Sequence, residues 1–183
     1  MSIAKPKTWT YKDYYSLNDD KRYELIEGEL IEMAPSPSSK HQIISINLGY
    51  ELINYVRKNK LGRVIASPID IIFNQKNVLQ PDIVFIANEN MAIIKENGIF
   101  GSPDLVVEIL SPASTNRDRN TKFKIYEKFK VKEYWIIDPS ETTIEAFFLE
   151  NNKFISCCSV KNDEHVKSKI FQNIELSFNN LTI

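Results

Sequence analysis

Three carboxylates stand inside the most apolar strand-like runs of this 183-residue chain: Asp70 interrupts PIDIIF, Asp82 opens DIVFI and Glu108 sits within LVVEIL. Taking an ionised carboxylate out of water costs several kcal/mol or more unless it is paired or binds a metal. A fold that keeps all three must therefore bring cations or a metal to them. Spacing sorts the candidates. Asp104 and Glu108 share a face of one strand, but four residues at about 3.3 Å each hold them roughly 13 Å apart. Two ligands of one magnesium, each about 2.1 Å from it, lie at most roughly 4 Å apart. Asp104 is thereby excluded as a co-ligand of Glu108, whereas Asp82 lies on a separate run that can sit alongside. If the loop between the first two strands centres near Lys76, Asp70 faces Asp82 across a hairpin. Asp82 and Asp104 each follow a proline, so local bonding to backbone amides is the alternative role for both.

The surrounding pattern predicts how these runs are arranged. RYELIEGELIEM reads as a β-hairpin turning at Glu27-Gly28, where glycine tolerates positive φ. MAPSPSS at 33–39 reads as a surface loop. Ser38 or Ser39 then caps a helix running to about Lys58, with Ile44, Leu48, Leu52 and Tyr55 as its inner stripe. Strand-like runs follow at 64–73, 82–87 and 104–110, then a second helix from about Ser114 to Phe129 and a strand at 133–139. TIEAFFLENNKFISCCSV reads as a further hairpin, followed by a final apolar stretch at 170–183. The order α-β-β-β-α-β, with a hairpin on either side, predicts one α/β sheet domain spanning residues 1–183.

The second helix supplies a cation. Asp118, Lys122, Ile125, Tyr126 and Phe129 fall on one face. Lys122 is thus in line with the stripe that packs on the sheet, and a lysine there either snorkels out or meets a carboxylate. Seven cations between Arg117 and Lys132, against Asp118 and Glu127, read as a phosphate-attracting rim or as a solvated helix face.

Composition closes off several classes. With 43% hydrophobic and 11% aromatic residues the chain is not disordered. A net charge of −1 argues against non-specific coating of nucleic acid. No apolar run approaches the roughly 18 residues of a membrane span, and the first residues carry no apolar signal-peptide core. The adjacent Cys157 and Cys158 suit neither a strain-free disulfide nor a zinc site, so a cytoplasmic location is expected. P-loop and dinucleotide glycine motifs are absent.

QPDIVFI, PDLVVEILSP, RDRNTKFKIY and EYWIIDP, in this order and spacing, resemble the putative restriction endonuclease family of the PD-(D/E)XK nuclease superfamily. RYELIEGELIEM and His41-Gln42 fit the same pattern, so the resemblance covers nearly the whole chain. It implies a restriction-endonuclease-like α-β-β-β-α-β core with an N-terminal β-hairpin and C-terminal strands. It also implies a divalent metal, usually Mg²⁺ with Mn²⁺ able to substitute, at the sheet edge. Residue by residue, Asp82 matches the motif aspartate and Glu108 the acidic residue of (D/E)XK. Leu110 stands where the superfamily's usual lysine would be. In this family that lysine moves to the following helix, here Lys122, the residue singled out independently by the helical face. His41 and Glu29 match the family pattern without an assigned role.

The expected function is metal-assisted hydrolysis of a phosphodiester, DNA being the expected substrate. Asp82 and Glu108 hold the metal, with Asp70 as a candidate third ligand, Lys122 orients water or shields charge, and Tyr126 supports the lysine or simply packs. The alternative is a nuclease-like module that binds nucleic acid or a protein without cutting, and a third is a hydrolase of another phosphoester. Cutting both strands of a duplex favours a homodimer, with the C-terminal strands or Phe147-Phe148 as an interface or as core.

Overall fold

The computed structural model describes residues 7–34 and 36–182. Thr10 caps α1 (Tyr11–Tyr15) in a reciprocal box with Asp13. β1 (Tyr23–Ile26) and β2 (Glu29–Glu32) form the expected hairpin. Its turn has positive φ at Glu27 and Gly28, and a Cβ on Gly28 would lie 2.6 Å from Thr8 Cγ2. Ser38 caps α2 (Ser39–Asn59) by accepting from the His41 N–H, and Lys60 ends it in a left-handed conformation. There follow β3 (Gly62–Ala66), β4 (Ile71–Asn74), β5 (Asn77–Leu79), β6 (Ile83–Ala87), β7 (Ile94–Lys95), β8 (Gly98–Phe100) and β9 (Leu105–Ile109). A π-helical stretch, Arg117–Lys122, runs directly into α3 (Phe123–Lys128), and β10 (Glu133–Asp138), β11 (Thr143–Glu150) and β12 (Lys153–Lys161) complete the strands.

The strands make two six-stranded sheets, ordered β2-β1-β5-β4-β8-β7 and β12-β11-β10-β9-β6-β3. The second carries the expected core, with β9 and β10 parallel and the remaining pairs antiparallel. Period-two alternation decides what each face meets. Ile83, Phe85, Leu105, Val107 and Ile109 pack with α2 and the C-terminal segment, through Ile44, Leu48, Phe171 and Leu181 among others. Val84, Ile86, Val106 and Leu110 face the other way, toward Ile125 and Tyr126 of α3 and Ile71 and Leu79 of the first sheet. Asp82 and Glu108 belong by parity to this second face. Each fully buried aliphatic side chain stabilises this packing by roughly 1.5–3 kcal/mol.

One expectation about strands is corrected. The run 64–73 is not one strand: β3 and β4 lie in different sheets, with Ser67 and Pro68 at the break. Segment 170–182 is irregular, with one 3-10 turn at Asn179–Leu181, and Ile183 lies outside the described residues. That segment packs because its apolar residues cover α2 and the sheet without forming a ladder. Among the described residues no helix is long and apolar enough to cross a membrane. The first six residues, read above for a signal peptide, and Pro35 of the 33–39 loop also lie outside the described residues.

Glu133 ties the irregular segment to β10. Its Oε1 accepts from Trp135 Nε1 at 2.7 Å, and its Oε2 from Ser168 Oγ, Lys169 N and Ile170 N at 3.0, 3.2 and 3.1 Å. Burial raises its pKa, and these hydrogen bonds oppose the rise. Glu133→Ala strands these donors in a dry setting and is expected to cost about 2–4 kcal/mol in urea unfolding. A loss below about 0.5 kcal/mol, the scale of an ordinary surface change, would show that the tether is not structural.

Candidate active site

β6 and β9 pair antiparallel with Ile83 opposite Val107. One further step sets Asp82 opposite Glu108, and directly opposed residues share a face with Cβ atoms about 4.5–5.5 Å apart. Both side chains line one cavity of about 230 Å³, together with Glu24, His41, Asp118 and Lys122. The helix after β9 delivers Lys122, only 4% exposed. Its Nζ lies 2.8 Å from Glu24 Oε1, 3.0 Å from Glu108 Oε1 and 3.4 Å from Asp118 Oδ1. One turn on, Tyr126 Oη donates to the same Glu108 oxygen at 2.6 Å. The π-helical turn carries Asp118 and Lys122, both buried, a placement such turns often have at functional sites.

Burial lowers the Lys122 pKa, but Glu108, Glu24 and Asp118 more than offset that and hold it charged. Burial pushes Glu108 well above the usual carboxylate range; Lys122 opposes the shift, while Asp118, Asp82 and Glu24 add to it. Asp118 is raised in the same way, by burial first. Burial and the neighbouring Glu108 keep the Tyr126 hydroxyl protonated, so it stays a donor.

Asp82 Oδ2 accepts the Ile109 N–H at 2.7 Å, with His41 Nε2 3.4 Å away. The same His41 nitrogen lies 3.1 Å from the Ile109 carbonyl. His41 thus bridges the first turn of α2 to the end of β9. Burial would lower its pKa, yet the Asp82 carboxylate and the Ile109 carbonyl raise it overall.

The structure therefore brings Asp82, Glu108, Lys122, Tyr126 and His41 together. It does not bring Asp70 or Glu29 to them. The β4–β5 hairpin turns next to Lys76 as expected. The Asp70 carboxylate is instead held by Tyr14 Oη, 3.0 Å from each oxygen, and by Gln80 Nε2 at 2.8 Å. Glu29 is exposed on β2. The hairpin's contribution comes from Glu24, fully buried because β1 lies between β2 and β5. Glu24 was missed although it carries the signal used elsewhere, a carboxylate directly before the apolar pair Leu25-Ile26.

The family model described as "Putative restriction endonuclease" (Uma2) matches residues 10–179. The chain belongs to this family. A relative, the "Uncharacterized protein sll1609" of Synechocystis sp., is 27% identical over 142 residues, covering 75% of this chain and 79% of that one. A crystal structure described as "a putative nuclease belonging to DUF820 from Anabaena variabilis" is similar with a TM-score of 0.77 and 21% identity, covering 94% of this chain and 97% of that one. The family and the sheet-centred, restriction-endonuclease-like fold are thus as the motifs implied.

The site's oxygen chemistry suits a hard cation. Four carboxylates (Glu24, Asp82, Glu108 and Asp118) line the cavity, and among the described residues only Lys122 and Arg117, the latter 3.4 Å from Glu24, form ion pairs with them besides His41. Asp82 Oδ1 and Glu108 Oε2 accept no hydrogen bond from the described residues, and neither is among the fully buried unpartnered atoms. Among the described residues no three His, Cys, Asp or Glu side chains form a metal cage.

Proposed function

We propose that this member of the family is a metal-dependent endonuclease that hydrolyses phosphodiester bonds of DNA. In this reading Asp82 and Glu108 hold Mg²⁺, for which Mn²⁺ can substitute. The observation that carries it is the pair of open carboxylate oxygens in a cavity whose acids outnumber the cations touching them. Bound there, the ion would lower the pKa of a water and offset charge on the phosphate.

The chain's own groups do the positioning. Tyr126 Oη and Lys122 Nζ share Glu108 Oε1 and turn its other oxygen to the cavity. His41 and the Ile109 amide fix Asp82 Oδ2 in the same way. Lys122, kept charged by three carboxylates, is preorganised to oppose negative charge that develops on a phosphate oxygen. Glu24 and Asp118 hold the ammonium and leave the two ligand carboxylates less completely neutralised by it.

A module that binds without cutting is the second reading. It is favoured by Lys122 resting on Glu108 itself, an arrangement that also suits a purely structural ion cluster. The two readings separate on a supercoiled plasmid. With Mg²⁺ the chain is expected to convert it to nicked and linear forms, and with EDTA to leave it intact. No conversion with Mg²⁺ or Mn²⁺ would overturn the enzyme reading. Cutting both strands would engage two copies of the chain, and the free Cys157 and Cys158 accord with a reducing cytoplasm.

A further inference from the structure

The cations of the second helix are largely engaged inside the molecule. Arg117 meets Glu24, Arg119 meets Glu145 and Asp138, Lys128 meets Glu27, and Lys132 meets Asp104 and Glu89. A rim that attracts phosphate needs cations whose charge is not already neutralised.

Arg22 is such a cation. It precedes β1, is exposed, and lines the acidic cavity. Its Nε and Nη2 both donate to Gln80 Oε1, at 3.0 and 2.7 Å, and Nη2 lies 3.4 Å from Ser67 Oγ. These acceptors are neutral, so the guanidinium is fixed in place without losing its charge. Gln80 is locked in turn: its Nε2 donates to Asp70 and to Tyr14 Oη, and its backbone N–H to Glu24. Only one orientation of the amide gives a donor to Asp70 and an acceptor to Arg22. The role of Asp70, left outside the acid cluster, is thus to anchor the residue that aims Arg22.

Lys40 is the second. A neighbouring hollow of about 510 Å³ shares Pro37, His41, Ser111 and Ala113 with the acidic cavity. Lys40 lines only the second and Arg22 only the first. The Lys40 ammonium donates to the Pro139 carbonyl at 2.6 Å, another neutral acceptor. Neither Arg22 nor Lys40 forms an ion pair with a described carboxylate. The two hollows adjoin, the first with an acidic floor, and each holds one hydrogen-bonded cation that makes no direct ion pair with a described carboxylate.

We propose that Arg22 and Lys40 are positioning residues that bind two backbone phosphates of one nucleic-acid strand. Arg22 takes the phosphate beside the acid cluster, and Lys40 one further along the adjoining hollow. This rests on the nuclease reading and adds the side chains that hold the strand in register. A guanidinium held at two nitrogens keeps Nη1 to offer the phosphate, and phosphate contacts position a strand without reading its sequence.

The test is fluorescence anisotropy with a short fluorescein-labelled DNA duplex. It is run in EDTA across a range of KCl, in a Glu108→Gln background that cannot cut. Arg22→Gln and Lys40→Gln are each expected to weaken binding about tenfold at low salt. Each should also reduce the slope of log affinity against log salt by about 0.9, the counterion equivalent of one phosphate. Lys58→Gln, an exposed cation at the far end of α2, should change neither, and Mg²⁺ titrations of the Glu108-intact variants should match the parent. Equal slopes in all four proteins would overturn the proposal alone. A parent that binds no duplex would overturn it together with the nuclease reading.

Discussion

Lys122→Met is expected to lower stability by about 3–5 kcal/mol, because it leaves buried carboxylates without their cation. Three oxygens lie within 3.4 Å of the Nζ, from Glu24, Glu108 and Asp118. Methionine fills much of the same volume, so little of the loss reflects a cavity. For a chain of this size the midpoint of thermal unfolding should fall by about 6–20 °C. The deficit should depend on pH with a definite sign. Burial already raises Glu108 and Asp118, and Lys122 opposes both shifts; without it they rise further. A carboxyl raised in the folded state favours the fold below its unfolded value, about 4, and that support is lost as pH climbs through the folded value. The variant should therefore approach the parent in acid and fall away toward neutrality. A midpoint within about 2 °C of the parent at neutral pH would mean that the three acids are not ionised around the lysine.

Glu108→Gln should separate chemistry from folding. The amide oxygen can still accept from Lys122 and Tyr126, which now share Glu108 Oε1, and the cavity carries one negative charge fewer. Unfolding should shift by only a few degrees. Cleavage should fall by about 10³-fold or more, since one of the two proposed metal ligands loses its charge and several kcal/mol of charge stabilisation go with it. A rate equal to the parent's, measured with the same magnesium, would remove Glu108 from the site.

Much of this arrangement was legible in the residues because burial of charge is costly enough to leave a pattern. Asp82 and Glu108 each interrupt an apolar run, and strand rise excludes Asp104 as a partner of Glu108 while leaving Asp82, on a separate run, able to sit alongside. Lys122 was found because a helical face places it among Ile125 and Tyr126, and the π-helical turn did not displace it from that face. What was not legible depended on sheet order. Glu24 and Glu29 look alike within RYELIEGELIEM, and only the insertion of β1 between β2 and β5 buries the first and leaves the second exposed. Asp70 stands in as apolar a run as Asp82, but the chain changes sheet at Ser67-Pro68 and turns it toward Tyr14 and Gln80. The fate of the helix cations was equally hidden, because their partners Glu145, Glu27 and Glu89 come from distant segments.

Direct titration of Mg²⁺ into the parent chain, Asp82→Asn and Glu108→Gln by calorimetry reaches the common premise. The parent is expected to bind one ion per chain and both variants none under the same conditions, with Mn²⁺ behaving alike. A parent that binds no ion, or variants that bind as the parent does, would contradict the assignment of these two carboxylates as the metal's ligands.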